Sequence, residues 1–489
     1  MSDRETVRGD YHQSRAERYA AGKKLRSRTP RESHGDHQLN DKRDPVAILA
    51  EIDEGRIAAL LPIRYQRMAV SPFTFLRGAA AVMAIDLARG PLAGVSVQSC
   101  GDCHLMNFGA FLTPEGNVLF DINDFDETLP DIDFTVDLKR LVASTAVAAL
   151  DAGMSAKKAR AIACAAARSY RELIAKLATL APLDIWHTRM VLEHEMQQFD
   201  DVNLRNEILD TLSLAHGDAS ADDNFPKLVG TKGGAKAGGL RIEDRPPLIY
   251  HFDQAADARD RIDAASVFTA YLDTLPPERR VLVQRYRLAD VAFKVVGVGS
   301  VGTFCAVGLF VSGDAEPLFL QIKEARTSVL ERIAHPAVPI EHQGRRVVEG
   351  QRIMQAASDI FLGWAQDPET DRRFYVRHLK NRRLGSLGEV IRGNALAAYA
   401  ALCGRTLARA HARSGDAAVL AGYMGKSEVM DEAMGSFAMS YAVQTTRDHA
   451  RLVEALKSRP SVQAALVGPS KAGKKNAAEK ALKKGLRTR

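Results

Sequence analysis

"QSCGDCHLMNFGAFLTPEGNVLFDINDFDET" occupies Gln98–Thr128. Two apolar runs, "FGAFL" and "VLFDI", flank the turn "TPEGN", a pattern that predicts a β-hairpin. Polar groups gather at its open ends. Asp102 and Asn107 precede the first strand, and Asp121, Asp124 and Asp126 close the second. A hairpin would put Asp102 and Asn107 on one loop and return Asp124, or Asp121, to the same cleft. Phosphoryl transfer needs such a set: one carboxylate for the proton of an attacking hydroxyl, and an amide oxygen with a second carboxylate for Mg²⁺. Asp and Asn are also ordinary turn residues. Three hard oxygen donors around one hairpin favour a catalytic floor.

The same stretch holds Cys100 and Cys103. A structural zinc site wants a second such pair, or a histidine pair at ligand spacing. The chain has no other C-x-x-C, and His104 is adjacent to Cys103. A redox dithiol would open a helix, and this pair does not. Two small buried residues flanking a turn are expected.

Phosphate binding calls for backbone N–H groups and a cation. Gly297-Val298-Gly299-Ser300-Val301-Gly302 is a G-x-G-x-x-G followed by the strand-like "TFCAVGLFV". A dinucleotide fold would place a helix there. Strand, glycine loop, strand is the pattern of the flap over ATP in protein kinases. The next strand, "LFLQIKEA", presents Lys323, in place to meet nucleotide phosphates. That lysine needs a carboxylate from a following helix. Glu349, in "RRVVEGQRIMQ", is the first choice and Glu331 the second.

The rest of the chain sets the frame. With 489 residues, 46% apolar and 26% charged, it has the composition of a soluble globular protein of more than one subdomain. No transmembrane span or secretory leader is expected, and five cysteines suit a reducing cytoplasm. The net charge of +7 is matched by Pro469–Arg489, with eight Lys or Arg against one Glu. Nucleic acid is therefore expected at most through this tail. The expected units are a polar basic arm over 1–44 with an extended stretch, and a helix plus catalytic-loop hairpin over 45–150. A mainly helical region over 151–285 with a polar loop follows, then a β-rich ATP lobe over 286–385. A helical region over 386–468 and a flexible tail over 469–489 complete the chain. Single helices are expected from Pro72 to Gly90 and from Ala334 to Ala357.

"GDCHLMNFG" and "NDFDETLPDIDFTVDLKRL" resemble aminoglycoside and choline phosphotransferases. That resemblance implies Asp102 as catalytic base, Asn107 and Asp124 as metal ligands, and Asp137 as a structural support. Across almost its whole length the chain also resembles a bacterial family called domain of unknown function 2252. The carriers are "RYQRMAVSPFTFLRGAA", "CGDCHLMNFG", "INDFDET" and "LQIKEA". Cys100 stands where the phosphotransferases carry histidine, and the longer Asn107-to-Asp124 spacing keeps Asp121 in play. The glycine loop follows the catalytic loop by nearly 200 residues, which a circular permutation explains. The expectation is an α+β, two-lobed kinase-like fold with permuted lobes. Its expected activity is ATP- and Mg²⁺-dependent transfer of phosphate, or less favoured AMP, to a hydroxyl of a small-molecule acceptor. The competing readings are a non-catalytic nucleotide sensor and an interaction protein that uses its basic tail.

Overall fold

The computed structural model describes residues 11–40, 42–113, 115–199, 205, 228–229, 240–251, 263–295, 297, 299, 301–333, 339–379 and 395–458. Ser300 and the basic tail lie outside them. The chain opens with α1 (Arg15–Lys24), α2 (Pro45–Ile52), α3 (Leu61–Met68), α4 (Pro72–Gly78) and α5 (Ala80–Leu87). Next come β1 (Ser96–Ser99), β2 (Phe108–Leu112), β3 (Val118–Ile122) and β4 (Leu129–Asp133), then α6 (Phe134–Asp151), α7 (Ala156–Leu177), α8 (Pro182–His187) and α9 (Leu192–Met196). The second half holds β5 (Ile249–Tyr250), α10 (Ala264–Thr274), α11 (Pro277–Val283), β6 (Arg287–Lys294), β7 (Cys305–Val311) and β8 (Pro317–Glu324). It continues with α12 (Gln343–Met354), β9 (Gly363–Gln366), β10 (Arg373–His378), α13 (Leu396–Ser414), α14 (Ala417–Met424) and α15 (Val429–Lys457). The fold is mixed α+β. Among the described residues no helix is long and apolar enough to cross a membrane.

Two small sheets and one large one position the site. β2 and β3 form the hairpin, and β1 pairs antiparallel with β4. The large sheet is antiparallel between neighbours and runs β5-β6-β7-β8-β10-β9. It therefore recruits Ile249–Tyr250 from the region expected to be mainly helical. α6, α7, α13 and α15 bury their apolar faces with the hairpin in one core, around Phe120, Phe134, Tyr170 and Tyr399. A second core under the large sheet gathers Tyr271, Phe293, Phe304 and Phe374.

Three expectations change. The stretch in 1–44 read as extended is ordered: Ser14 and Glu17 form a capping box that starts α1. α1 then meets α14 so closely that a Cβ on Gly22 would lie 2.0 Å from the Val419 oxygen. Arg26 and Arg31 bind the last carbonyls of α14, with Arg26 Nε to Tyr423 O at 2.9 Å and Arg31 Nη1 to Met424 O at 2.8 Å. Polar composition concealed this because the contacts are made by arginines and glycines. The helix expected from Pro72 to Gly90 breaks at Ala79. There the carbonyls of Leu76 and Gly78 accept hydrogen bonds from Arg140 and Arg64 at 2.6 and 3.0 Å. The helix expected from Ala334 begins only at Gln343, where His342 caps the chain, and 334–338 lie outside the described residues.

Candidate active site

The loop that carries Asp102 is built from its backbone outward. Asp137, in the first turn of α6, accepts hydrogen bonds from Cys100 N at 2.8 Å, Gly101 N at 3.0 Å and Ser99 Oγ at 2.7 Å. His411 on α13 faces the same carboxylate at 3.1 Å and is held in turn by Tyr170 OH at 2.8 Å. Burial would raise the Asp137 carboxyl, but His411, Ser99 and the Cys100 amide outweigh it and hold it below its ordinary range. Gly101 has φ +86°, and a Cβ there would sit 2.2 Å from the Glu127 oxygen, so the bend before Asp102 needs glycine.

Asp102 Oδ1 accepts from Arg140 Nη2 at 2.7 Å and Nε at 2.9 Å, while its Oδ2 lies 3.6 Å from His104 Nε2. Burial raises this carboxyl above its ordinary range, with Arg140 opposing. Burial also holds His104 well below its usual range, so that ring is neutral. Asn107 donates its Nδ2 to Asp102 O at 2.7 Å, which leaves its amide oxygen as the atom that could ligate a cation.

Beyond the hairpin, Asp124 and Asp126 meet the large sheet. Lys323 Nζ is 2.6 Å from Asp126 Oδ2 and 4.0 Å from Asp124 Oδ1. Tyr375 OH donates to Asp126 Oδ1 at 2.5 Å. Lys323 and Tyr375 are direct partners across β8 and β10, and Gln321 and Arg377 are the next pair on the same face. The period of two along each strand thus gives the sheet a polar stripe aimed at the turn after β3. Burial raises Asp124, and the neighbouring Asp126 raises it further. Asp126 is driven the other way: Lys323 and Tyr375 overcome its burial and keep it low. Arg346 on α12 fixes the same turn, donating to Asp126 O at 2.9 Å and Arg326 O at 2.8 Å.

Part of this arrangement borders a cavity of about 660 Å³, a size that suits a small molecule, while Lys323, Arg140 and Tyr375 are buried beside it and do not line it. Asp102, Asn107, Asp124, Asp126, Gly297 and Gly299 all line it, so residues nearly 200 positions apart share one cleft. The glycine loop is anchored by the segment between α2 and α3 together with α3 itself. Ile57 N donates to Gly302 O at 2.8 Å, Arg56 Nη1 to Val301 O at 2.8 Å, and Arg64 Nη1 to Gly299 O at 3.3 Å.

Several expected partners are placed elsewhere. Lys323 pairs with Asp126 rather than with Glu349 or Glu331. Glu349 sits on the exposed side of α12, bonded to Arg345 at 2.7 Å, because Arg346 takes the inward position. Glu331 lines the cavity without reaching Lys323. Asp121 is buried against Arg409 and accepts from Ala356 N at 3.0 Å, so it lines no part of the cavity. Cys100 and Cys103 are buried free thiols, both raised by burial. Among the described residues no group of three or more His, Cys, Asp or Glu could hold a metal ion. Asn107 and Asp124 offer one amide and one carboxylate oxygen, a sparse donor set that suits an ion keeping water and phosphate as its other ligands.

Sequence reasoning missed Arg140, Tyr375 and the lysine-binding role of Asp126. Only the Asp-Phe-Asp spacing signalled the last, since residues two apart in extended chain share a side. A family model described as "Uncharacterized protein conserved in bacteria (DUF2252)" matches residues 56–455. No curated protein and no solved structure matches.

Proposed function

The chain belongs to this bacterial family, and we propose for it an ATP- and Mg²⁺-dependent phosphotransferase acting on a hydroxyl of a small-molecule acceptor. The observation that carries the reading is the shared cavity: Asp102, Asn107 and Asp124 on one wall, Gly297 and Gly299 on another, and Lys323 beside the acidic turn. The strand order supports it. β6, the glycine loop, β7, β8 with its lysine, α12 and then β9 and β10 follow the succession of a kinase ATP lobe. The catalytic loop and hairpin precede that lobe in the chain, which fits a permuted relative of the phosphotransferases it resembles.

In this reading Asp102 Oδ2 takes the proton of the acceptor hydroxyl. The acceptor oxygen bonds to the terminal phosphorus as the bond to ADP breaks. Arg140 keeps the Asp102 carboxylate oriented through its other oxygen. Lys323 and the amides of the glycine loop hold the phosphates. Mg²⁺, when held by Asn107 and Asp124, would supply neutralisation of phosphate charge. Partial burial of the charged groups strengthens each of these interactions.

A second reading, a nucleotide sensor without turnover, rests on a specific observation. Lys323 is already neutralised by Asp126, and Asp102 by Arg140. Calorimetry with ATP and Mg²⁺, followed by a panel of hydroxylated metabolites with γ-labelled ATP, separates the two. Binding with label transfer supports the phosphotransferase, binding without transfer to any acceptor supports the sensor, and no Mg²⁺-dependent ATP binding defeats both.

A further inference from the structure

The cavity has a wall that the phosphotransferase reading does not use. Arg56, Arg64 and Arg326 line it, two from the segment that anchors the glycine loop and one from the chain after β8. One buried carboxylate, Asp53, serves the first two: Arg56 Nε and Arg64 Nε both lie 3.0 Å from its Oδ1, and Tyr65 OH donates to its Oδ2 at 2.6 Å. Among the described residues Arg326 has only backbone oxygens as partners, those of Ile52 at 2.9 Å and Glu54. Three guanidinium groups thus share this wall, with Asp53 and Glu127 as the carboxylates that act on Arg56.

Arg56 shows the imbalance most clearly. Its side chain is 10% exposed. Among the described residues its Nη1 alone donates hydrogen bonds, to Val301 O at 2.8 Å and Thr303 Oγ1 at 3.0 Å, and its Nε, close to Asp53, is buried without one. Burial together with repulsion from Arg64 and Arg326 outweighs Asp53 and Glu127 and brings the guanidinium down to about 9. Glu127, which also lines the cavity, is raised by burial to about 7 and is only partly ionised at neutral pH. On this wall three guanidinium groups lie close together beside Asp53 and the partly ionised Glu127, a local arrangement that a bound anion relieves. Planar forks match the oxygens of a tetrahedral oxyanion such as phosphate.

We propose that Arg56, with Arg64 and Arg326 beside it, forms a phosphate-binding site inside the cavity, distinct from Lys323. The phosphate comes either from the nucleotide or from an acceptor that already carries one. The site itself stands without the phosphotransferase reading. Only the choice between these two sources rests on it.

The test is calorimetric titration of the full chain with inorganic pyrophosphate in the absence of Mg²⁺. Saturable binding that weakens with salt is expected. Arg56→Gln should weaken it at least about tenfold, with circular dichroism confirming that the variant is folded. If Arg56→Gln does not fold, Arg326→Gln, which removes only backbone-oxygen contacts, should weaken binding likewise. No saturable binding to the wild type, or unchanged affinity in a folded variant, overturns the proposal. Repeating the titration with saturating Mg²⁺ and a non-hydrolysable ATP analogue identifies the source. Loss of pyrophosphate binding assigns the site to the nucleotide, and retained binding assigns it to a phosphorylated acceptor. Arg56-dependent pyrophosphate binding in a chain that fails to bind ATP leaves this site standing and removes the phosphotransferase.

Discussion

Asp137 lies outside the cavity lining, yet it holds the backbone of the loop that carries Asp102 through the amides of Cys100 and Gly101. At this scale the sequence was most informative where chemistry and local chain geometry coincide. Asp102, Asn107 and Asp124 were readable because a hairpin must return their loops to one another. Asp121 misled because it has the same residue type and lies near the same strand end. Its side chain points into the core toward Arg409, more than 280 positions away in the chain, a partner no local pattern reveals. Glu127 gives a pH prediction. Burial raises its carboxyl from about 4.5 to about 7, so the folded chain keeps a proton that the unfolded chain releases. Stability from this group is full below about pH 4.5 and is lost as pH rises through about 7. Urea unfolding without divalent cations should therefore show a decline between about pH 4.5 and 7 that flattens in Glu127→Gln. An unchanged pH profile in that variant would remove Glu127 as its source.

The helix α12 shows what an element adds to a motif. Its periodicity was legible, but which side faces the acidic turn was not, since both Arg346 and Glu349 are polar. Packing decides for Arg346, which donates to backbone carbonyls of that turn, and leaves Glu349 exposed. Lys323 is consequently neutralised from the other half of the chain, by Asp126. Two substitutions distinguish these roles. Glu349→Ala should leave both ATP binding and stability unchanged within about 0.5 kcal/mol, as for an exposed helical ion pair. Asp126→Asn strips the nearest carboxylate from a lysine side chain that is 2% exposed. Asp124 offers partial compensation at 4.0 Å, so the loss should fall toward the lower end of about 3–5 kcal/mol. Denaturant titrations of the two variants measure both quantities. A larger loss in Glu349→Ala than in Asp126→Asn would reverse the assignment.

Across the whole molecule, the mixed α+β class and the hairpin were legible, and the contacts that join distant segments were not. Arg43 illustrates the gap: it lies in the stretch read as an arm, yet it binds Asp86 and Asp448, each at 2.6 Å. Arg43→Met should leave two buried carboxylates with neutral donors, Asn40 and Tyr441 for Asp86 and Gln444 for Asp448, and cost about 3 kcal/mol, read from the urea midpoint. A shift below about 0.5 kcal/mol would show that the N-terminal segment contributes little to the fold. The same long-range closure brings the Asp102 loop and the glycine loop into one cleft, and on that cleft the proposed phosphotransfer depends. Its most direct measurement is a pair of calorimetric titrations with ATP and Mg²⁺, on Asp102→Asn and Asp124→Asn, alongside turnover with the acceptor identified from the labelled-ATP panel. Asp102→Asn should bind ATP as the wild type does and lose about 10²- to 10⁴-fold in rate, whereas Asp124→Asn should lose Mg²⁺-dependent ATP binding. Wild-type ATP affinity and turnover in both variants would contradict the account.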